Sequence, residues 1–457
     1  MSQIVIKPPI RRFRSPLPPI SGALEIEVRD FKSFAHAKFV MGSPVTFLVG
    51  PNGSGKSNLI EALDILRHLI TGGSLSQISE PGKGGQLEIR GDLDNAPRKG
   101  AQAKCFGFTV CGDVNFSNTK YKLEYTLEVS SQRRFHWISK ESLYLARGYE
   151  RILIFDSPPA PFKQSELRNV SYNNFARGGN KPLSAASNQR SLVSQYGEFA
   201  SSNNKGAACA GLLITLRATF RLSVFDPMPR LMRDFCGMGD LPLRKEGQNV
   251  SAVLYDLSKR GESGKESLQR VLTTIAQLPD EPFTKFEFVE VEKLHMVMFA
   301  LARDDDAGLF DARLLSDGTL RTLAILTALE TAPARALVIV EEFDNGIHPS
   351  RLEAVTHAIW EIAKRRDLRV MVTTHNPTTL NALTDEMLHG VTFSIWDGTT
   401  KAHSIRRLED LPRCPELLEQ GRLGDLVTRR VVERYSAPGF EDQRRKEIMK
   451  WFTSSQA

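Results

Sequence analysis

Eight residues constrain this chain more than any other stretch: Gly50-Pro51-Asn52-Gly53-Ser54-Gly55-Lys56-Ser57. They fit G-x-x-x-x-G-K-[ST], the loop whose backbone N–H groups cradle phosphates. The flanks agree with that reading. Val45-Thr46-Phe47-Leu48-Val49 is β-branched and aromatic and predicts a buried strand. Downstream, Leu59, Ile60, Leu63, Leu66 and Ile70 recur at helical spacing. A strand, a glycine turn and a helix N-terminus make an anion site, because free N–H groups point at the ligand and the helix dipole favours its charge. The glycines let the backbone come close. Lys56 is placed to reach the β- and γ-phosphates, and the Ser57 hydroxyl to ligate Mg²⁺. The loop by itself specifies a nucleotide and no more.

The chain has 457 residues, 41% hydrophobic and 25% charged, which predicts a globular protein of two or three domain-sized units. No apolar run is long enough to span a bilayer, so no membrane partner is expected. Five cysteines form no C-x-x-C pair and no Cys/His ligand spacing, which points to a reduced, cytoplasmic setting without structural zinc. Residues 1–21 carry Arg11, Arg12 and Arg14 among prolines that break helices, and read as a basic, extended arm. The net charge of +7 permits nucleic-acid binding without demanding it. Lys364-Arg365-Arg366, Arg406-Arg407, Arg429-Arg430 and Arg444-Arg445-Lys446 crowd the last hundred or so residues. Each is by default a solvated face.

Residues 22–155 read as one lobe. Leu24–Val28 alternates, a second strand follows near Ala37–Val40, and the P-loop strand comes next. Strands are then expected at 87–90, 104–110, 120–129, 135–146 and 151–155, an antiparallel sheet beside the P-loop sheet. From Asp156 to Lys205 Asn, Ser, Gly and Pro dominate. Helical patterns then resume at 207–220, 250–257 and 265–278, so 156–285 is expected to be an insertion with a helical lid or arm. Residues 286–411 read as a second lobe, with strands at 286–291 and 296–302, and 412–457 as a basic tail.

The second lobe carries three further motifs. Leu315-Ser316-Asp317-Gly318-Thr319 precedes a helix over Leu320–Glu330, a second anion-binding helix end. Ala336–Val340 is a continuous apolar run, the mark of a buried parallel strand, and ends in Glu341-Glu342-Phe343-Asp344. Acids at the carboxyl end of such a strand lie where an α/β sheet binds ligand. One can hold a Mg²⁺ water shell and the other polarise an attacking water. Arg369–Val372 is another buried strand, ending Thr373-Thr374-His375-Asn376-Pro377, and His375 there can bond a γ-phosphate or its water.

These motifs, in this order, resemble the ABC-type ATPases of the RecF, SMC and OLD-like group, over roughly 22–70 and 310–400. The resemblance implies an α/β, P-loop head with a mixed or antiparallel sheet lobe, split by an insertion, using ATP and Mg²⁺. It implies that Asn52, Gly53, Ser54, Gly55, Lys56, Ser57 and Asn58 bind ATP, that Ser57 and Glu341 serve the metal, and that Glu342 and His375 are catalytic. It implies an ATP-dependent head-to-head dimer, or a larger even-numbered assembly, in which Ser316, Asp317 and Gly318 meet the nucleotide of the other subunit. Asn345–His348 would occupy the D-loop. Three positions depart from the group's pattern. Glu341 replaces the usual Asp, the signature is LSDGT rather than LSGGQ, and Gln77, Gln86 and Gln102 compete for the Q-loop role. Arg29 and Lys32 stand where such heads often touch nucleotide, or else form a surface turn.

The tail, with Gly421-Arg422-Leu423-Gly424-Asp425-Leu426, resembles tails of OLD-like ATPases found beside nuclease-type partners and is a candidate docking segment. The leading expectation is an ATPase motor or switch for a nucleic-acid-processing or phage-defence complex, with DNA or RNA and a nuclease or other effector as partners. An ATP-binding clamp with slow turnover is the second reading, and a transporter ATPase subunit the third.

Overall fold

The computed structural model describes residues 21–436 apart from 43, 133, 160–165, 174–182, 200–203, 279–281 and 304–307, and also describes 440, 445 and 446. The basic arm before residue 21, and Arg444 with most of the tail beyond 436, lie outside the described residues.

The elements that carry the site are, in chain order, β1 (Ser21–Phe31), β2 (Phe34–Met41), β3 (Val45–Val49) and α1 (Lys56–Thr71). Next come β4 (Leu222–Phe225), α2 (Asp317–Thr331), β5 (Leu337–Val340) and α3 (Pro349–Arg365). The last are β6 (Arg369–Thr374), α4 (Pro377–Asn381), β7 (Val391–Asp397), β8 (Ala402–Arg407), α5 (Leu423–Thr428) and α6 (Val431–Ser436).

One mixed sheet runs through the described residues. β4, β5, β6, β3 and β7 lie side by side in that order, all parallel. Beyond β7 the sheet continues through β8, β2 and β1 into an antiparallel meander: Cys105–Phe116, Thr119–Gln132, Phe135–Arg147, Glu150–Ser157, Leu167–Tyr172 and Leu183–Ser187. The meander strands alternate buried and exposed positions, as expected of a sheet wet on one side. The five parallel strands instead read as near-continuous apolar runs, because both of their faces are covered.

The strand period of two sorts side chains to two cores. Leu48, Leu337, Ile339 and Met371 point to one, with α1, β1, β2 and the meander. Val45, Phe47, Val49, Val338, Val340, Val370 and Val372 point to the other, with α2, α3 and the tail helices. α1 and α2 therefore pack on opposite faces of the same sheet. Each fully buried Leu, Ile, Val or Phe contributes about 1.5–3 kcal/mol, so the sandwich holds the strand ends rigidly.

The stretch 156–285 does not stand apart from this sheet. β4 comes from within it and pairs with β5, matching Leu222 to Leu337 and Phe225 to Val340. The helix Asn204–Thr219 buries Cys209, Leu212, Leu213 and Leu216 in the α1 core. Helices Val250–Lys259 and Gly261–Ala276 join the α2 core together with a small antiparallel sheet of Lys285–Val291, Met296–Ala302 and Leu309–Asp311. The sequence of 156–205 carries little periodicity, yet strands Leu167–Tyr172 and Leu183–Ser187 form there by pairing on the meander edge. Their backbones pair there, Val170 and Ala186 enter the core, and Arg168 forms a buried ion pair with Glu141 of the meander.

Candidate active site

The P-loop joins β3 to α1 with Gly53 and Gly55 at positive φ, 81° and 92°. At Gly55 a Cβ would lie 2.7 Å from the Ser33 hydroxyl, so only glycine fits. Ser394 on β7 donates its hydroxyl to the Ser54 carbonyl at 2.5 Å and ties the loop to the sheet. The Lys56 ammonium lies within the loop and donates to the carbonyls of Gly50, at 2.6 Å, and Pro51, at 3.1 Å. Burial pushes Lys56 below the ordinary lysine range, while the Glu342 and Asp344 carboxylates pull it back up. Asn52, Gly53 and Ser57 are exposed. Asn58 donates to the Ser33 hydroxyl at 2.8 Å and accepts from Arg90 at 3.1 Å.

β5 ends at Val340, and the acids follow at the carboxyl end of the parallel strands. Glu341 is partly buried, with Lys245 at 3.7 Å, and burial pushes its carboxyl up. Arg90 and Glu61, which ion-pair with each other beside Asn58, are also in its electrostatic reach. Glu342 takes a left-handed backbone, φ 42°, and lies within electrostatic reach of Lys56. Its N–H donates to the Thr373 hydroxyl at 2.8 Å. Its carbonyl accepts from Arg321 at 3.2 Å and from the Asn345 N–H at 2.9 Å. His375 is exposed just past β6, in one cleft with Gly50–Ser54.

Ser57 and Glu341 carry the hydroxyl and carboxylate oxygens that a Mg²⁺ arriving with a nucleotide would take. Mg²⁺ keeps several waters and takes one or two protein oxygens besides phosphate. Among the described residues no cluster of three or more His, Cys, Asp or Glu could hold a metal alone.

The signature residues open elsewhere. Ser316 caps α2, accepting from the Thr319 N–H at 3.1 Å. Ser316, Asp317 and Gly318 line a cavity of about 410 Å³ with Gly346, His348, Ser350 and Arg351. A Cβ on Gly318 would come within 2.9 Å of the Gly346 carbonyl, so the signature turn and the turn after β5 pack as one surface. None of the P-loop residues lines that cavity.

Several polar residues at this site carry no motif. Asp344, 5% exposed, accepts from the hydroxyls of Thr374 and Thr379, both at 2.5 Å. Asp226, one residue past β4, has its carboxylate 3.7 Å from Arg321, and burial pushes its pKa up. Lys32 is held by Glu61 and donates to the Arg90 carbonyl at 3.0 Å, while Arg29 donates to Thr109 on the meander at 2.9 Å. Lys32 thus belongs to the α1 end of the site and Arg29 to the sheet. Gln77 caps Ser74 through its side chain at 2.8 Å, and Gln86 and Gln102 are exposed. The tail packs on the histidine side. Gly424 donates its N–H to Asn381 on α4 at 2.8 Å. With β7 and β8, the tail roofs a cleft of about 690 Å³ along the outer face of the P-loop.

This arrangement of P-loop, paired strand-end acids, histidine and separate signature helix is that of an ABC-type ATPase head, similar to those of the RecF and SMC group. The chain belongs to the family described as "AAA domain, putative AbiEii toxin, Type IV TA system", whose profile matches residues 45–163 and 252–381, more than half of its length. It is similar to the DNA replication and repair protein RecF of Gloeobacter violaceus, 46% identical over 41 residues, or 9% of this chain and 11% of that protein. The match thus spans about a tenth of the relative's length. Solved SMC heads also resemble it. The SMC head domain from Thermotoga maritima has 14% identity and a TM-score of 0.39, over 85% of this chain and 99% of that one. The Smc head with an extended coiled coil, bound to the C-terminal domain of ScpA derived from Pyrococcus furiosus, has 12% identity and a TM-score of 0.43, over 87% and 99%.

Proposed function

We infer that this protein hydrolyses ATP with Mg²⁺ and dimerises on ATP through its signature face. Asn52–Asn58 would cradle the phosphates, and Ser57 and Glu341 would hold the metal, which neutralises phosphate charge. Glu342 takes a proton from water as the water oxygen attacks the γ-phosphorus, and ADP leaves. His375 would bond the γ-phosphate or the attacking water. The observation that carries the dimer is the placement of α1 and α2 on opposite faces of the sheet, with Gly50–Ser54 of the loop before α1 and Ser316–Gly318 at the start of α2 lining separate cavities. One subunit offers both anion-binding ends but not to one phosphate. A second copy supplies Ser316, Asp317 and Gly318 to the first copy's ATP.

In this reading the head is a motor or switch for a nucleic-acid-processing or phage-defence complex in the cytoplasm. Its partners are a nuclease or other effector, and DNA or RNA. The support is the similarity of a short stretch to a DNA replication and repair protein, together with the basic tail. The test is ATP turnover with size-exclusion chromatography coupled to light scattering. Glu342→Gln with ATP and Mg²⁺ should run as a dimer or larger even assembly, and without nucleotide as a smaller species. A nucleotide-independent mass sinks the ATP-driven dimer.

A further inference from the structure

We propose that Arg321 is a positioning residue that ties Glu342 to the signature helix, and so links the two nucleotide sites that one subunit serves. The inference rests on the reading of Glu342 as the general base. Arg321 lies on α2, five residues after Ser316, and is 8% exposed. Its guanidinium donates to the Glu342 carbonyl at 3.2 Å and stands 3.7 Å from the Asp226 carboxylate. No local chain contact brings these together, since 21 residues separate Arg321 from Glu342.

Three features make the contact more than packing. First, Glu342 holds a left-handed φ of 42°, a conformation that costs a non-glycine residue free energy and persists only where the surroundings impose it. They do impose it. Thr373 of β6 takes the N–H, and Arg321 with the Asn345 N–H takes the carbonyl. Second, the buried Arg321 guanidinium also stands 3.7 Å from the Asp226 carboxylate, so one side chain ties the end of β4, the signature helix and the Glu342 turn together. Third, α2 begins at Ser316, the residue read as touching the γ-phosphate of the other subunit. A rigid helix with Ser316 at its tip and Arg321 little more than a turn further on transmits any shift of the tip to the Glu342 backbone. The nucleotide reached by Ser316 belongs to the partner, whereas Glu342 acts on the subunit's own. Arg321 therefore couples one site to the other.

The experiment is a double-mutant cycle in the full-length protein, read by single-turnover ATP hydrolysis, nucleotide Kd and thermal melting. Arg321→Met should leave ATP Kd within about threefold and lower the hydrolysis rate about a hundredfold, the scale on which a misplaced catalytic group loses rate. Arg321→Lys, which keeps the charge but not the fork, should fall between. On a Glu342→Gln background Arg321→Met should cause no further loss, because it acts through a base already removed. Cooperativity in ATP concentration should also disappear in Arg321→Met. A merely structural role would instead lower melting temperature and ATP affinity together. If Arg321→Met does not fold, Arg321→Lys carries the same cycle. A wild-type rate in the folded Arg321 variant, with Glu342→Gln inactive, overturns this inference alone. An equal loss on both backgrounds also overturns it. A wild-type rate in Glu342→Gln removes the base assignment and the inference together.

Discussion

The carboxylate of Asp344 accepts the hydroxyl proton of Thr374 at 2.5 Å, and through the same oxygen that of Thr379. Asp344 follows the strand-end acids, and the two threonines bracket His375. One buried acid thus clamps the turn that carries Glu342 to the loop that carries the histidine. Asp344→Ala leaves two hydroxyls without an acceptor, at about 1–3 kcal/mol each. Urea unfolding should show a loss of that order, and ATP turnover should fall as His375 loses its anchor. Stability within about 0.5 kcal/mol of wild type, the range of an ordinary surface substitution, would dismiss the clamp.

Lys56→Ala should abolish nucleotide binding, since the phosphate charge loses its buried ammonium. Glu342→Gln should bind ATP normally and turn over at least a hundredfold more slowly, on the order of a lost general base. Fluorescent-nucleotide titration and phosphate release separate the two defects. Wild-type turnover in Glu342→Gln would remove that residue from the chemistry.

Mixing tests the signature in trans. Lys56→Ala and Ser316→Arg subunits are each expected to be inactive alone. A mixed dimer retains one composite site, built from the P-loop of the second and the signature of the first. Hydrolysis should return on mixing, up to about half the wild-type rate per dimer if the sites act independently. If subunits demonstrably exchange and no activity returns, the trans role of Ser316 is lost.

Gly424 sits where a Cβ would meet the Pro377 carbonyl at 2.0 Å, so the tail can seat on α4 only with glycine there. Gly424→Val should unseat α5 and α6, at a cost of about 1–3 kcal/mol for overpacking. Proteolysis of the tail should speed up, and ATP turnover should change because α4 follows His375. Unchanged proteolysis and turnover would disconnect the tail from the site.

The basic tail residues Arg429, Arg430, Arg444, Arg445 and Lys446 give the last test. If they bind nucleic acid, affinity should fall steeply with salt, the log–log slope dropping by nearly one for each phosphate contact removed. Charge reversal should abolish that dependence. Binding that ignores both salt and reversal would leave these residues as a solvated face.

The sequence by itself picked out the components of the candidate nucleotide site. Gly50–Ser57, Ser316–Gly318, Glu341-Glu342 and His375 are short motifs whose chemistry depends on neighbours along the chain, and the glycine turns, strand ends and helix caps follow from local backbone rules. Apolar runs at Val45–Val49, Ala336–Val340 and Arg369–Val372 likewise announced buried strands, the second of them parallel. What tertiary structure alone decided is which of these pieces meet. The opposite faces of α1 and α2 follow from how β3, β5 and β6 sort their side chains between two cores, a property of strand order that no window of sequence contains. Arg321 on Glu342, Asp344 on Thr379, Asp226 at the sheet edge and Gly424 on Pro377 are pairings across 21 or more residues. Such residues look like ordinary surface arginines, acids and glycines until folding removes them from water. A buried polar group must then find a partner, and that partner is set by packing rather than by sequence spacing.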